Sequence, residues 1–398
     1  MGYVGLKLKI IVEKKNTELL EELDLAWKNH ETFLLIPSKF KNQADFYQNQ
    51  LAYLPVEYQN HHFALLTSGS TGQPKIVVGN KKRTDLLAKA LFEVQKCEEV
   101  ENIILSLPLS YSFSFVNAWR LSRVCNINLA DSPGTSNPKE FTESIQNTSN
   151  GMICMVGAQI GLLRNYWKNT KPTSNLKRIH FAGGRFPHSD LKMLKEIFPL
   201  AKIFNNYGCV EAMPRLCIRE ADLEIGPENV GFPIPGVKIR SGKDNRVEFQ
   251  SPYQACGIIE GNKFHEIRLD DWTKSGDLGQ INEDSSCSIL GRSNEVFKRY
   301  GEKISISEIE VTLKKEIESN IAFYRDTDRN GEAGYVLVVD NSTSDWKHIL
   351  KTYRSNFSRP FWPLRIEMTA SIPSLPSGKI DLKTLSNIEL ETVWHQRI

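Results

Sequence analysis

The chain has 398 residues, of which 40% are hydrophobic and 24% charged, a composition typical of a globular protein with a large core. Its 50 lysines and arginines nearly balance 47 aspartates and glutamates, and the net charge of +3 gives no support for a nucleic-acid partner. Seven scattered cysteines, no apolar run of bilayer length and no signal-peptide core predict a cytoplasmic protein with reduced thiols and no membrane partner.

Taken in chain order, the first 60 or so residues mix a helical pattern with one strand. Buried strands then alternate with amphipathic helices as far as AKIFNNYG, which predicts a parallel sheet with helices on its faces. Short strands from GVKIRS to CSILGRS predict a small antiparallel unit, and the remaining residues show an α+β pattern. We therefore predict a large α/β N-terminal domain over residues 1–292 and a small α+β C-terminal domain over residues 293–398.

One polar loop, within LLTSGSTGQPKIVV, lies between two apolar runs. Its glycines allow backbone N–H groups to approach an anion, its hydroxyls add donors, and Lys75 adds a positive charge. This pattern predicts a phosphate-binding loop. It is not the P-loop signature, because Lys75 follows Pro74 and precedes Ile76. On this stretch alone, an ordinary polar turn between a strand and a helix remains open.

Four later stretches accompany this loop in a fixed order: NNYGCVEA, KSGDLG, GRSNEVFKRYGEKISISEIE and LPSGKIDLKTL. Together the five stretches resemble the adenylate-forming superfamily, which includes acyl- and aryl-CoA ligases, peptide-synthetase adenylation domains and luciferases. The resemblance covers residues from about 62 to 385 and leaves out the first 60 or so. It implies that ATP activates a carboxylic acid as an acyl-adenylate, with release of pyrophosphate. A thioester with CoA or with the pantetheine of an acyl carrier protein then follows.

The resemblance also implies roles for individual residues. Lys379 would bridge the carboxylate and the α-phosphate, and Glu211 would be a ligand of Mg²⁺, so that the catalytic set is Lys379, Glu211 and Lys75. The implied phosphate-binding residues are Thr67, Ser68, Gly69, Ser70, Thr71, Gly72 and Lys75. The implied adenine- and ribose-binding residues are Gly183, Gly184, Asn206, Tyr207, Gly208, Asp277 and Arg292.

The C-terminal domain of this family rotates between two positions, and here Asn294 would lie at the hinge. Three departures from the family pattern stand out. Val210 occupies a position where the family usually has Thr, and Asn294 one where it usually has Asp. The region before the phosphate loop is also short, which predicts a reduced N-terminal subdomain whose exposed surface a homodimer interface could cover.

The acid pocket is predicted from the stretch LPLSYSFSFVNAW and two strand ends. Its candidate residues are Ser112, Phe113, Asn117, Met155, Val156, Gly157 and Phe181. Amino-acid-activating members usually have Asp where Ser112 stands, so an α-amino acid is disfavoured and an aryl or short-to-medium acyl substrate is expected. His180 is expected to be a satisfied strand histidine. Amino-acid adenylation with carrier-protein loading, and a non-catalytic nucleotide-binding relative, are the alternatives.

Overall fold

The computed structural model describes residues 8–14, 16–67, 74–167, 170–184, 186–293, 295–300, 302–314, 316–317, 320–329, 331–340, 346–374, 380–385 and 387–396. The chain divides into two compact units. The larger unit contains residues 1–240, 248–275 and 281–288, and the smaller unit contains residues 241–247, 276–280 and 289–398. The functional domain boundary between residues 292 and 293 stays a prediction.

Strands and helices alternate through most of the described chain. The strands are β1 (Lys9–Val12), β2 (Phe33–Ile36), β3 (His62–Leu66), β4 (Ile76–Asn80), β5 (Asn102–Ile104), β6 (Asn128–Ala130), β7 (Gly151–Met155), β8 (Leu176–Phe181), β9 (Lys202–Tyr207), β10 (Cys217–Glu220), β11 (Asn229–Pro233), β12 (Lys238–Ser241), β13 (Arg246–Gln250), β14 (Gly257–Glu260), β15 (Lys263–Glu266), β16 (Thr273–Ile281), β17 (Cys287–Arg292), β18 (Val296–Arg299), β19 (Glu302–Ser305), β20 (Ile321–Thr327), β21 (Ala333–Asp340), β22 (Arg365–Thr369) and β23 (Glu391–His395). The α-helices are α1 (Asn16–Lys28), α2 (Ala44–Leu51), α3 (Lys81–Val94), α4 (Ser112–Ser114), α5 (Leu121–Val124), α6 (Pro138–Gln146), α7 (Ala158–Trp167), α8 (Leu191–Ile197), α9 (Ile306–Leu313), α10 (Trp346–Asn356) and α11 (Leu382–Leu385).

One sheet of the larger unit has the strand order β1-β2-β3-β4-β14-β15. Strands β1, β2 and β3 are parallel, whereas β4 runs antiparallel to both β3 and β14. The β-branched run Ile76–Val78 explains β4, which the sequence analysis did not separate from the loop before it. The predicted phosphate loop therefore joins two strands of a hairpin, and not a strand and a helix. The helix α3 begins only after β4, where the Asn80 side chain accepts a hydrogen bond from the Arg83 backbone N–H at 3.1 Å.

A second sheet of the larger unit contains the order β11-β10-β9-β8-β7-β5-β6. The strands from β5 to β9 are parallel, so the carboxyl ends of β7, β8 and β9 lie at one edge. Strands β7, β8 and β9 are buried almost throughout, because helices cover the sheet and the core between them includes Phe141, Leu163 and Trp167. The predicted α/β fold with a parallel sheet is confirmed, and in such folds ligands bind at the carboxyl edge.

The smaller unit is an α+β structure, as predicted. Its sheet has the order β20-β21-β22-β23, in which β21 and β22 are parallel and the other pairs are antiparallel. Ile309, Tyr335 and Tyr353 belong to a core that α9 and α10 form with this sheet. Within the described ranges, no helix has the length and hydropathy that a membrane span requires.

Candidate active site

The phosphate-loop candidates Thr67 and Lys75 face each other across the mouth of the β3–β4 hairpin. The backbone N–H of Thr67 donates to the carbonyl oxygen of Lys75 at 2.9 Å, which closes the two ends of the loop. The predicted residues between them, namely Ser68, Gly69, Ser70, Thr71 and Gly72, lie outside the described residues. The structure thus places the two ends of the loop where β3 ends and β4 begins. The roles of the residues inside the loop stay predictions.

Lys75 forms an ion pair with Glu260, the Nζ and Oε2 atoms being 2.9 Å apart. The pairing follows from the sheet, because β14 runs antiparallel to β4 and Ile259 lies opposite Ile76, which brings the next residues together. Sequence reasoning missed Glu260, since nothing in the chain before it signals which strand neighbours the loop. If Lys75 binds phosphate as predicted, the Glu260 carboxylate would compete with that phosphate for it.

Replacing Glu260 with glutamine is expected to strengthen ATP binding by at most about fivefold. Both side chains are partly exposed, and ion pairs of this kind contribute about 0.2–1 kcal/mol. Without the pair, ATP no longer has to break it in order to bind Lys75, so its affinity rises by that free energy. The dissociation constant for ATP, measured by calorimetry, checks this. The matched control is Glu266→Gln on β15, because Glu266 contacts Tyr58 and Arg268 and not Lys75. Equal effects of the two changes would show that the Lys75 pair has no part in binding.

The stretch NNYGCVEA forms the end of β9 and the turn after it. Tyr207, the last residue of β9, is buried, and Glu211 lies partly exposed in a short 3₁₀-helix over Val210–Ala212. Gly208 is required by close packing, because a Cβ atom there would lie 1.8 Å from the carbonyl oxygen of Pro214. The turn therefore holds the tyrosine and the carboxylate at the carboxyl edge of the parallel sheet.

We expect Gly208→Ala to destabilise the fold by about 3 kcal/mol, because the backbone around Pro214 must move to admit a methyl group. Gly184→Ala is the control. A Cβ at Gly184 meets no atom of the described residues within 4 Å, so that change should alter the free energy of unfolding by no more than about 0.5 kcal/mol. Chemical denaturation of the two variants measures the difference. Equal stabilities would mean that the turn relaxes freely around residue 208.

Asn206 has an unused acceptor. Its Nδ2 donates to the carbonyl oxygens of Phe181 and Phe204 at 3.0 and 3.2 Å. In the part of the chain that the structure describes, its buried Oδ1 has no hydrogen-bond partner. A free acceptor of this kind suits the amino group of adenine. The second predicted adenine-binding residue, Gly183, follows β8 at the same edge of the sheet and has a φ of +77°, a conformation that favours glycine. Gly184 follows it, and Arg185 lies outside the described residues.

The two residues assigned to ribose meet within the smaller unit. Arg292 Nε lies 3.1 Å from Asp277 Oδ1, and Asp277 is 5% exposed while Arg292 is largely open to solvent. Gly276, at a φ of +81°, turns the chain before Asp277, and its carbonyl oxygen accepts from the Ser293 N–H at 3.0 Å. The arginine holds the Asp277 carboxylate in one orientation. A fixed carboxylate is what would be needed to accept hydrogen bonds from both ribose hydroxyls, as predicted.

The predicted roles of Lys379, Asn294 and Glu211 all stay predictions. The catalytic candidate Lys379 and the hinge candidate Asn294 lie outside the described residues. Among residues that are described, no group of three or more His, Cys, Asp or Glu side chains could hold a metal ion. Glu211 as the metal ligand therefore stays a prediction.

The predicted acid-pocket residues come from one helix and two strand ends. Ser112 and Phe113 lie in α4, and Asn117 lies in the π-helical segment Phe115–Arg120 that follows it. Asn117 is fully buried, and its Nδ2 lies 3.5 Å from Cys154 Sγ on β7, which joins this helix to that strand. Met155 ends β7, Val156 and Gly157 follow it, and Phe181 ends β8. The sheet therefore brings the two strand ends together, with the helix beside β7.

Arg215 is a buried cation in this region that the sequence analysis did not select. Its Nη2 donates to Asn117 Oδ1 at 3.0 Å, and its guanidinium carbon lies 5.3 Å from the centroid of the Phe113 ring. Burial lowers the pKa of Arg215 to about 9. The one feature of the sequence that could have drawn attention to Arg215 is its position, a basic residue four places after Glu211 in an otherwise apolar run.

His180, which precedes the acid-pocket candidate Phe181, stacks on Phe204 with the ring centroids 5.0 Å apart. Burial, followed by the charges of Arg215 and Arg178, holds the pKa of His180 well below its ordinary value, so the imidazole is neutral. Its Nδ1 lies 3.5 Å from Asn206 Nδ2, while its Nε2 finds no hydrogen-bond partner within the described ranges. The expectation of a fully satisfied histidine is therefore wrong for one of its two nitrogens.

The family model for AMP-binding enzymes matches residues 6–252, and the chain belongs to this family. Among curated proteins, the D-alanine–D-alanyl carrier protein ligase of Staphylococcus epidermidis is 24% identical over 349 residues, which are 82% of this chain and 71% of that protein. The ligase of the same name from Staphylococcus aureus is 23% identical over 345 residues, with the same coverage of both chains.

Two solved structures share the fold. The Bacillus subtilis o-succinylbenzoate CoA synthetase, MenE, in complex with an acyl-adenylate intermediate, has a TM-score of 0.77 at 15% identity and covers 97% of this chain and 89% of its own. The ATP-bound MatB of Rhodopseudomonas palustris has a TM-score of 0.74 at 17% identity, covering 96% and 89%. The predicted membership of the adenylate-forming superfamily is confirmed. The protein is an AMP-forming ligase that activates a carboxylic acid with ATP.

Proposed function

We propose that this protein converts a small carboxylic acid into an acyl-adenylate and then transfers the acyl group to the pantetheine thiol of a carrier protein. The observation that carries the choice of acceptor is the similarity, over 82% of the chain, to ligases that load a carrier protein. CoA is the alternative acceptor. The proposal extends the family chemistry to a particular second half-reaction.

In the first half-reaction, a carboxylate oxygen forms a bond to the α-phosphorus of ATP while the bond to pyrophosphate breaks. Negative charge accumulates on the phosphoryl oxygens, and positioned cations and N–H donors stabilise it best. We assign Thr67, Lys75 and the loop between them to the β- and γ-phosphates, and Lys379 to the α-phosphate and the carboxylate. Lys75 must leave Glu260 to act in this way.

The nucleoside would be held by separate groups. Tyr207 would stack on adenine, and the free Oδ1 of Asn206 would accept from its amino group. Asp277, oriented by Arg292, would accept hydrogen bonds from the two ribose hydroxyls. In the second half-reaction the thiol loses its proton to solvent, its sulfur bonds to the acyl carbon, and AMP leaves with the bonding electrons.

Glu211 would hold Mg²⁺, which when bound neutralises charge on the phosphates of ATP. The residue fits this role, since its carboxylate is partly exposed in the turn after Tyr207. The described chain offers no cluster of acidic and histidine ligands, so phosphate oxygens and water would complete the coordination. Removing the divalent ion with a chelator is then expected to stop adenylate formation.

The test has two stages. Pyrophosphate exchange into ATP is measured with a panel of aliphatic, aromatic and α-amino acids, which reports the first half-reaction alone. The best acid is then incubated with ATP and either CoA or a pantetheinylated carrier protein, and intact-mass spectrometry detects the thioester. Acylated carrier supports the proposal, and a thioester on CoA alone overturns the choice of acceptor.

One alternative within this design concerns the substrate. An α-amino acid as the best substrate would favour amino-acid activation, the activity that the names of the curated relatives carry. The similarity to ligases argues against a non-catalytic nucleotide-binding relative, and ATP binding without exchange for any acid would contradict the proposed function. A homodimer and a cytoplasmic location also stay predictions.

A further inference from the structure

Among the described residues, Arg215 has no carboxylate partner, and two of its nitrogens donate no hydrogen bond. The residue is fully buried, and among the residues that the structure describes its Nε and Nη1 have no hydrogen-bond partner. The described side chains include no carboxylate in an ion pair with it. A buried charge without a partner is strongly unfavourable, so a protein that retains one has a use for it.

Other buried arginines of the chain show what a structural role looks like. Arg120 makes two hydrogen bonds to Asp85 at 2.9 and 2.8 Å. Arg178 donates to the carbonyl oxygens of Gln95, Lys96 and Lys177. Each of these guanidinium groups is occupied by acceptors of the protein itself. Arg215 differs because two of its three nitrogens lack such acceptors.

The position of Arg215 connects it to the acid. Its guanidinium touches Asn117 and faces the ring of Phe113, two residues predicted to line the acid pocket. Its backbone belongs to the turn that carries Glu211, because the Arg215 N–H donates to the carbonyl oxygen of Ala212 at 3.3 Å. The cation therefore lies between the wall of the pocket and the predicted nucleotide turn, away from bulk solvent.

We propose that Arg215 binds a second carboxylate of the substrate through the second N–H of Nη2 together with Nη1 or Nε, so that the acid activated by this enzyme is a dicarboxylic acid. This inference rests on the proposed function. A carboxylate matches the guanidinium fork with two parallel hydrogen bonds and supplies the missing negative charge. The ammonium group of an α-amino acid would instead be repelled, which agrees with Ser112 in place of an acidic residue.

Because the guanidinium has no exposed surface, the second carboxylate must reach it from the pocket side, where the Phe113 ring covers it. Arg215 would then pair with the far end of the acid, while Lys379 is the residue assigned to its reacting end. The distance between the two ends sets the chain length of the acid that fits.

The experiment compares matched acids that differ only in the second carboxylate. Pyrophosphate exchange is measured for malonate against propionate, succinate against butyrate, glutarate against pentanoate and phthalate against benzoate, with D-alanine included. At least one diacid is expected to exceed its monoacid partner by on the order of a hundredfold in kcat/KM, since two charge-assisted hydrogen bonds separate them. Equal or better exchange with every monoacid overturns the inference and leaves the proposed function intact.

Arg215→Met then tests the residue. It is expected to lower kcat/KM for the diacid by on the order of a hundredfold while leaving that for the matched monoacid within about threefold. In the absence of substrate its unfolding midpoint should rise, because an uncompensated buried charge is removed. Arg178→Met is the matched control and should lower the midpoint without changing the diacid-to-monoacid ratio.

The remaining outcomes are also decisive. An unchanged ratio in Arg215→Met, whatever its stability, overturns the assignment of the residue. If that variant does not fold, Arg215→Lys replaces it: lysine keeps the charge and loses the planar fork, so the ratio should fall by about tenfold. No exchange with any acid, although ATP binds, contradicts the proposed function itself and the inference with it.

Discussion

Replacing Lys379 with alanine is expected to slow acyl-adenylate formation by on the order of a hundredfold or more, while ATP still binds with nearly its normal affinity. The lysine is assigned to charge that develops in the transition state, and removal of one such group costs about 3 kcal/mol or more. An interaction made mainly in the transition state affects the rate more than it affects binding. Single-turnover formation of the adenylate, measured beside an ATP-binding isotherm, checks both parts.

The same Lys379 variant should transfer the acyl group from a pre-made acyl-adenylate to the thiol at close to the normal rate, because the family moves this loop away before thioester formation. Lys314→Ala provides a control, since Lys314 is an exposed lysine of the same unit that pairs with Glu310. Ser374 and Ile380, on either side of the stretch with Lys379 that lies outside the described residues, form a β-bridge. Equal slowing of both half-reactions would refute the assignment or the two-position cycle.

Asp277→Ala is expected to behave differently and to weaken ATP binding itself by about 10- to 100-fold. The carboxylate is buried and held by Arg292, so it is oriented before ATP arrives. Each hydrogen bond to a charged group contributes about 1.5–3 kcal/mol, and the ribose contact is present in ground and transition states alike. Isothermal titration with a non-hydrolysable ATP analogue measures the loss.

Two further variants separate the contribution of the carboxylate from that of its surroundings. Asp277→Asn keeps one acceptor oxygen and should lose less affinity than Asp277→Ala. Deoxyadenosine triphosphate lacks one of the two ribose hydroxyls, so in the unchanged protein it should bind more weakly than ATP. In Asp277→Ala this difference in affinity between the two nucleotides should be smaller. If the difference were the same in both proteins, Asp277 would not contact the ribose.

Local patterns were enough to predict the elements of the site. The alternation of strands and helices gave the parallel sheet, and with it the placement of Met155, Phe181 and Tyr207 at strand ends along one edge. Gly208 could be singled out because it belongs to a motif, although the reason for it, the carbonyl of Pro214, is visible only in three dimensions. Features that depend on the order of neighbouring residues, such as strand ends and turns, can be predicted from the sequence.

Glu260 and Arg215 escaped prediction for a different reason. Glu260 acts on Lys75 only because β14 pairs with β4, and Arg215 meets Asn117 from a turn far along the chain. Such contacts depend on strand order and on helix placement, which no local pattern encodes. A charged residue at either position is ordinary in a sequence. Glu260 becomes informative through its ion pair with Lys75, and Arg215 through its burial and the lack of acceptors around it among the described residues.

The π-helical segment Phe115–Arg120 has a consequence for how this enzyme could acquire a new substrate. A π-turn contains one residue more than the α-helical turn it replaces, so removal of one residue can restore the α-helical turn while the helix beyond it keeps its orientation. Loss of the Asn117 codon would therefore take away the side chain that contacts Arg215 and Gln95 and place another residue there. The predicted wall of the acid pocket can thus change by a one-residue deletion, a route to a new substrate that is separate from point substitution.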